Sequence, residues 1–302
     1  MYTYVGFGMH IRSELEFPEL MPSDSADSDI YISRSSLRTE LAVERNMDQS
    51  FFEWQDGVFL FHVPSIGAFA ARGGRSIEAD LYPNYDEKGM RSFMLNTMLP
   101  AVLAQRQQVL MHGSSVIIGD RLALFLGTSG AGKSSTVAEL RRRGYTIFCD
   151  DVFVLLPPAS ADPTVYALAS YPMMKLKKDT IEAVGDEKNT DSSPIRDSGE
   201  KFAQYFHESF QTKPLPVGHV FLLSPGPDHS AYAARPVTGM QAFQALSRNT
   251  YRSNFMHERA LQRLHAESLS HLIQHTEILE LTRPIEGSDI RSFADFIVSL
   301  IK

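Results

Sequence analysis

The sequence predicts an α/β fold, and three observations carry that expectation. First, the glycine-rich run Gly127, Thr128, Ser129, Gly130, Ala131, Gly132, Lys133, Ser134 lies between the apolar stretch RLALFL and the helical pattern SSTVAELRRR. Second, another apolar stretch, YTIFC, follows that helix and runs into Asp150 and Asp151. Third, the first hundred or so residues read differently, as short β-type runs separated by turn dipeptides. Strand, loop, helix, strand is the opening of an α/β unit, so a β-rich front part is expected to precede an α/β part.

The front elements follow from local pattern. TYVGFGMHI and SDIYISRS have strand composition. FFEWQDGVFLFHV reads as a hairpin, because Asp56-Gly57 between apolar runs is a strong turn signal. GAFAARGGRSIEADLYP repeats the pattern around Gly73-Gly74. The period then changes: Phe93, Met94, Met98, Val102 and Leu103 fall near helical spacing. A helix is expected over 90–107, with Pro100 as a kink.

The second part opens near Val109. SSVII and RLALFL read as strands joined by Gly119-Asp120, and the helix after the glycine loop is stopped by Gly144. From Asp179 to Glu200 the chain is polar and its second half has no apolar period, so a loop is expected there, mobile over 185–200. Beyond it, GHVFLLSP and EILELTR read as strands. TGMQAFQALSRNTY, ERALQRLHAESLSHLIQH and SDIRSFADFIVSL read as helices.

Bulk properties narrow the classes. A chain of 302 residues fits one large domain or two modest ones. With 43% hydrophobic and 22% charged residues it can bury a core. A net charge of −7 argues against a nucleic-acid footprint. No apolar run reaches the roughly 20 residues of a membrane span, and no signal-peptide pattern opens the sequence, so no membrane partner and a cytoplasmic location are expected. Cys149 is the single cysteine, which excludes an internal disulfide. It reads as a buried strand residue, since neighbouring carboxylates discourage a thiolate.

The glycine loop matches G-x-x-x-x-G-K-[ST] in full. Triphosphate is crowded with negative charge, so several backbone N–H groups must approach it. Glycine permits that approach, and the N-terminus of the following helix adds partial positive charge. Lys133 can reach the β- and γ-oxygens, and the Ser134 hydroxyl can ligate Mg2+. ATP and Mg2+ are therefore the expected ligands. Phosphoryl transfer also calls for a metal-side carboxylate and one that receives the acceptor's proton. Asp150 and Asp151, at the carboxyl end of a strand, supply the pair. Neighbours on an extended chain point oppositely, so both reach one site only through a turn. His112 stands just before the hairpin that leads into the loop.

The run MHGSSVIIGDRLALFLGTSGAGKSSTVAELRRRGYTIFCDDVFVL resembles the catalytic domain of the HPr serine kinase/phosphorylase family. The likeness rests on His112-Gly113, on the loop from Gly127 through Ser134, on Arg143-Gly144 and on Asp150-Asp151. It covers about 45 residues closely. SYPMMKLKKDTIEAVG, EKFAQYF, PLPVGHVFLLSP and the opening YVGFGMHIRSELEFPEL are similar to a branch that includes tailoring kinases of lasso-peptide precursors.

The resemblance implies a P-loop kinase domain of HPr-kinase type (PEP-carboxykinase-like) over 108–302, with a smaller β-rich domain over 1–107. It implies Asp150 as general base, His112 beside it, and Lys133 on the phosphates. Asp151 joins Ser134 on the metal side, and Ser135 extends the nucleotide-binding set. A peptide or protein serine is the implied acceptor. Ser135 replaces the family's usual glutamate and the C-terminal phosphorolysis signature is missing, so neither reverse phosphorolysis nor HPr as substrate is carried over. A small-molecule kinase and a regulatory nucleotide-binding module remain alternatives, and homo-oligomer formation is left open.

Overall fold

Short alternating runs pair into the first sheet of the computed structural model, which describes residues 1–37, 48–159, 162–185, 194–195, 201–225, 231–284 and 289–301. Strands β1 (Tyr2–Gly6) and β2 (Met9–Ser13) form a hairpin that turns at Phe7 and Gly8, both left-handed. After β3 (Met21–Pro22) and β4 (Ile30–Arg34) come two more hairpins. One joins β5 (Phe51–Gln55) to β6 (Val58–Val63), the other β7 (Gly67–Arg72) to β8 (Ser76–Leu81). Asp56-Gly57 and Gly73-Gly74 sit at their tips with positive φ throughout, the twist that closes a tight hairpin. The order is β3-β1-β2-β4-β8-β7-β6-β5. Among the described residues of this sheet only β2–β4 and β4–β8 pair in parallel.

The expected helix over 90–107 starts earlier and is interrupted. α1 (Glu87–Phe93) passes into a π-turn at Met94–Met98 and then into α2 (Leu99–Gln105). Pro100 has no N–H to give the carbonyl of Asn96, four residues back. That carbonyl instead accepts from Tyr251 Oη at 3.1 Å and Arg252 Nε at 3.1 Å. Met90, Met94, Leu95, Met98, Val102 and Leu103 are buried beneath the sheet.

The second sheet begins with β9 (Val109–Ile118) and β10 (Arg121–Leu126), followed by α3 (Lys133–Arg142). Gly144, at φ 94, closes α3: its N–H reaches Arg141 O at 2.9 Å while Tyr145 N–H reaches Leu140 O at 3.1 Å. Next come β11 (Thr146–Cys149), β12 (Val152–Leu155), β13 (Tyr166–Ala169), β14 (Met173–Lys177), α4 (Lys178–Val184) and β15 (Lys201–Tyr205). The chain continues through β16 (Leu215–Pro225), β17 (Ala233–Pro236), α5 (Gly239–Arg248), α6 (Arg259–His275), β18 (Glu277–Arg283) and α7 (Ile290–Leu300). Strands β10, β16 and β18 lie parallel and adjacent. Leu122, Leu124 and Leu126 of β10 face one core, and Ala123 and Phe125 face the other. Such strands read as unbroken apolar runs because both faces are covered: α3, α4 and α7 on one side, α5 and α6 on the other.

β11 and β12 behave as one strand broken in the middle. Both pair antiparallel with the same long β9, Ile147 opposite Val116 and Val152 opposite His112, and the break falls at Asp150-Asp151. The core under the first sheet continues past the kinked helix to Val109, Leu124 and Val152. The polar stretch from Asp179 does not open as a loop. α4 occupies it, buries Ile181 and Val184, and ends at Gly185 with φ 73. Ile181 and Val184 are three apart on a helix face, a period hidden by the surrounding charges. Most of the segment expected to be mobile, 186–193 and 196–200, lies outside the described residues.

Arg252 also donates to Thr97 Oγ1 at 2.8 Å, so it secures the π-turn at two points. Arg252→Ala is expected to lower unfolding free energy by roughly 1–3 kcal/mol, the scale of a buried acceptor losing a donor. Urea denaturation measures it; an unchanged midpoint would show that the Tyr251 hydroxyl alone suffices.

Candidate active site

The glycine loop from Gly127 to Ser134 takes the shape its glycines allow. Gly127 has φ 148, and a Cβ there would lie 2.5 Å from Leu223 O of β16. Gly130 and Gly132 have φ 85 and 92, and a Cβ on Gly130 would meet nothing, so this part of the loop faces open space. The Gly127 N–H is held by Asn249 Oδ1 at 2.8 Å. Thr136 N–H to Gly132 O is the first bond of the helical ladder, which leaves the N–H groups of Lys133, Ser134 and Ser135 without a helical acceptor. Lys133 Nζ folds back onto Gly127 O at 2.8 Å and Thr128 O at 3.2 Å. Burial lowers its pKa, and Asp150 and Asp151 partly oppose that.

Asp150 is 1% exposed and accepts three hydrogen bonds. Its Oδ1 accepts from Ser114 Oγ at 2.5 Å and Ser134 Oγ at 2.8 Å, and its Oδ2 accepts the Lys175 N–H at 2.9 Å. Asp151 has φ 71, rare for a residue with a Cβ, and Val152 N–H closes onto Asp150 O at 2.9 Å. This is the turn that lets consecutive carboxylates serve one site. Asp151 Oδ2 accepts from Lys175 Nζ at 2.5 Å. Burial pushes the Asp151 pKa up, but the Lys175 ammonium, with help from His112 and Lys201, brings it down to about 2. Burial opposes charge on Lys175 as well, yet the Asp151 carboxylate keeps it raised.

His112 Nδ1 lies 2.8 Å from Asp151 O and 3.4 Å from Asp151 Oδ1. A carbonyl oxygen only accepts, so Nδ1 carries the proton and Nε2 keeps its lone pair. Burial, then Lys133, lowers the His112 pKa. The ring is neutral at neutral pH, and among the described residues Nε2 has no hydrogen-bond partner.

His112, Ser114, Lys133, Ser134, Asp151 and Lys175 line a cavity of about 610 Å³ together with Ser129, Gly130, Gly132, Ser135, Lys177, Lys201 and Arg283. Five cationic side chains, Lys133, Lys175, Lys177, Lys201 and Arg283, face it against two carboxylates, Asp151 and Asp179. In a protein of net charge −7 that local excess suits an anionic ligand. Ser135 Oγ bonds to Thr180 Oγ1 of α4 at 3.2 Å. Ala131 packs toward the second core, and Thr128 contributes its carbonyl. Cys149 is buried, with its thiol pushed up to about 12.

Among the described residues no group of three or more His, Cys, Asp and Glu converges as a metal cage. The Ser134 hydroxyl nevertheless fits Mg2+: it lines the cavity, and its proton is committed to Asp150 Oδ1, which leaves its lone pairs for a cation. That ion takes hard oxygen ligands and usually completes its shell with phosphate and water.

Sequence reasoning left four contributors unnamed: Ser114, Asn96, Asn249 and Arg283. Ser114 and Asn249 are buried polar residues, a signal that sequence alone does not carry. Asn96 sits four residues before Pro100, which was legible as the source of a free carbonyl. Arg283 ends the last predicted strand, whose carboxyl end could have marked it.

No protein-family model matches the chain, and no curated protein matches it in sequence. Among solved structures it is similar to an HPr(Ser) kinase/phosphatase from Coxiella burnetii. The two are 13% identical, with a TM-score of 0.31, over 64% of this chain and 87% of that one. So loose a superposition transfers no role, and the site stands on its own residues.

The His112 ring is expected to titrate below 6.5, and lower still in Asp151→Asn, which removes a charge that raises it. The unfolded ring binds its proton more readily. The stability linked to His112 is therefore complete above about pH 6.5 and is lost as pH falls through the folded value. Histidine NMR titration reads the midpoint; a value above 6.5 would contradict this environment.

Proposed function

We propose that this chain is an ATP-dependent serine kinase that moves the γ-phosphoryl group of ATP to a hydroxyl of a peptide or protein. The observation that carries the reading is the 2.8 Å bond from Ser134 Oγ to Asp150 Oδ1. It ties the phosphate loop to an acidic pair whose second member, Asp151, opens into the same cationic cavity as Lys133 and His112.

In this reading Lys133 and the free loop N–H groups bind the β- and γ-phosphates. Ser134, its hydroxyl oriented by Asp150 behind it, would hold Mg2+, which when bound neutralises charge on the phosphate oxygens. Asp151 receives the acceptor. The acceptor oxygen bonds to phosphorus, the bond to the ADP oxygen breaks, and the serine proton passes to Asp151. The roles of the two aspartates are thus the reverse of those the resemblance implies. What supports the reversal is that Asp150 accepts three hydrogen bonds and is 1% exposed, while Asp151 lines the cavity. A pKa near 2 does not disqualify Asp151. In a loose phosphoryl transition state the carboxylate mainly orients the hydroxyl.

The acceptor is the finer part of the proposal. The likeness to tailoring kinases favours a flexible peptide serine of a lasso-peptide precursor, with residues 1–107 as the recognition unit. Incubation with ATP, Mg2+ and candidate precursors should add about 80 Da, one phosphate, to the peptide. Phosphorylated sugars or nucleosides, with no peptide product, would replace this reading with a small-molecule kinase.

Lys133→Ala should abolish transfer in a folded protein. Asp151→Asn should keep ATP binding and lower the rate by roughly 10²–10⁴-fold. Asp150→Asn should weaken Mg-ATP binding as well as transfer. Calorimetric titration beside a radiolabel assay separates the two aspartates. A full rate in Asp151→Asn would return the base role to Asp150.

A further inference from the structure

The geometry points to Asn96, on the π-turn of the front helix, as a positioning residue for phosphoryl transfer: its amide oxygen holds the Lys175 ammonium on Asp151. Asn96 Oδ1 accepts from Lys175 Nζ at 2.8 Å, and the same ammonium donates to Asp151 Oδ2 at 2.5 Å. The amide is fixed from its other end, where Asn96 Nδ2 donates to Ser92 O at 2.7 Å. Turned over, it would aim an N–H pair at an ammonium and at the Tyr171 hydroxyl, which donates to Oδ1 at 3.2 Å. The Asn96 backbone is fixed as well, because its Pro100-freed carbonyl is taken by Tyr251 and Arg252. One residue of the front helix is thereby clamped on three sides, with its amide oxygen directed at Lys175.

The chemistry explains why such a clamp is needed. Lysine is a point charge on a flexible stem, with three donors and no geometry of its own. Lys175 is 15% exposed at its side chain and lines the cavity, so an ammonium held only by Asp151 could swing toward bound phosphate. It would then pull the carboxylate with it or release it. A second acceptor on the far side keeps Nζ behind Asp151. Oδ2 is then occupied, and Oδ1, on the His112 side, is left for the acceptor hydroxyl. The main chain of Lys175 also holds Asp150 Oδ2, so a displaced Lys175 would disturb both carboxylates. A π-turn at a functional position is a recurrent device. Here it delivers a front-helix side chain to the α/β site.

This inference rests on the phosphotransfer reading, and its test keeps the two apart. Asn96→Leu removes the acceptor with little change in size. It should lower kcat roughly 10–100-fold, the scale of a misplaced catalytic group. KM and affinity for Mg-ATP should stay within about threefold. Asn96→Asp keeps an acceptor for Lys175 and should recover most of the loss. Asn96→Leu combined with Lys175→Met should be no slower than Lys175→Met alone, because both act through one contact. A wild-type kcat in Asn96→Leu, or losses that multiply in the double variant, would overturn the assignment. A readout without turnover is the acetylation rate of Lys175 followed by peptide mass spectrometry. It should rise in Asn96→Leu while the melting temperature and labelling at other lysines hold. Unchanged Lys175 labelling would also overturn the assignment. Absence of transfer in the unsubstituted protein, with labelling behaving as expected, would instead sink the kinase reading alone.

Discussion

The Asp150 carboxylate is the contact on which the arrangement depends. It is buried and gathers three donors from three elements: Ser114 from β9, Ser134 from α3 and the Lys175 N–H from β14. A carboxylate withdrawn from water is costly unless its oxygens are satisfied. The structure meets that demand by closing the glycine loop, β9 and the β14–β15 ribbon around one group. In the proposed reaction, the residue that orients the metal-binding hydroxyl of Ser134 is therefore also the one that sets where the loop stands.

From that anchor the second aspartate follows by backbone geometry. β11 and β12 run along the same edge of β9 and would be one strand but for the turn at Asp151, whose φ of 71 interrupts the extended backbone. Held extended, the two carboxylates would point to opposite faces. Turned, Asp151 enters the cavity with His112 bonded to its carbonyl and Lys175 to its carboxylate. Non-glycine residues hold such a conformation only where their surroundings over-determine it, and here both flanking strands are paired.

The front sheet is joined to this site by more than a linker. Its kinked helix shares the main apolar core with the second sheet and sends Asn96 to Lys175. Proline, by withholding one N–H, freed a carbonyl that Tyr251 and Arg252 now take, so a helix defect became a docking point.

What the sequence determined by itself were the features written in local pattern. The hairpin tips at Asp56-Gly57 and Gly73-Gly74, the loop from Gly127 to Ser134 between strand and helix, the stop at Gly144 and the Asp150-Asp151 pair all follow from short-range rules. Such rules need only residue type and spacing. α4 escaped them because two buried residues among charges make a weak period. The tertiary structure alone decided the different surroundings of Asp150 and Asp151, the proton position on His112, and the reach of Asn96 and Asn249 into the site. Each depends on which donors converge from elements distant in sequence. Asn96 and Lys175 meet across 79 residues of chain, and no local spacing encodes that approach.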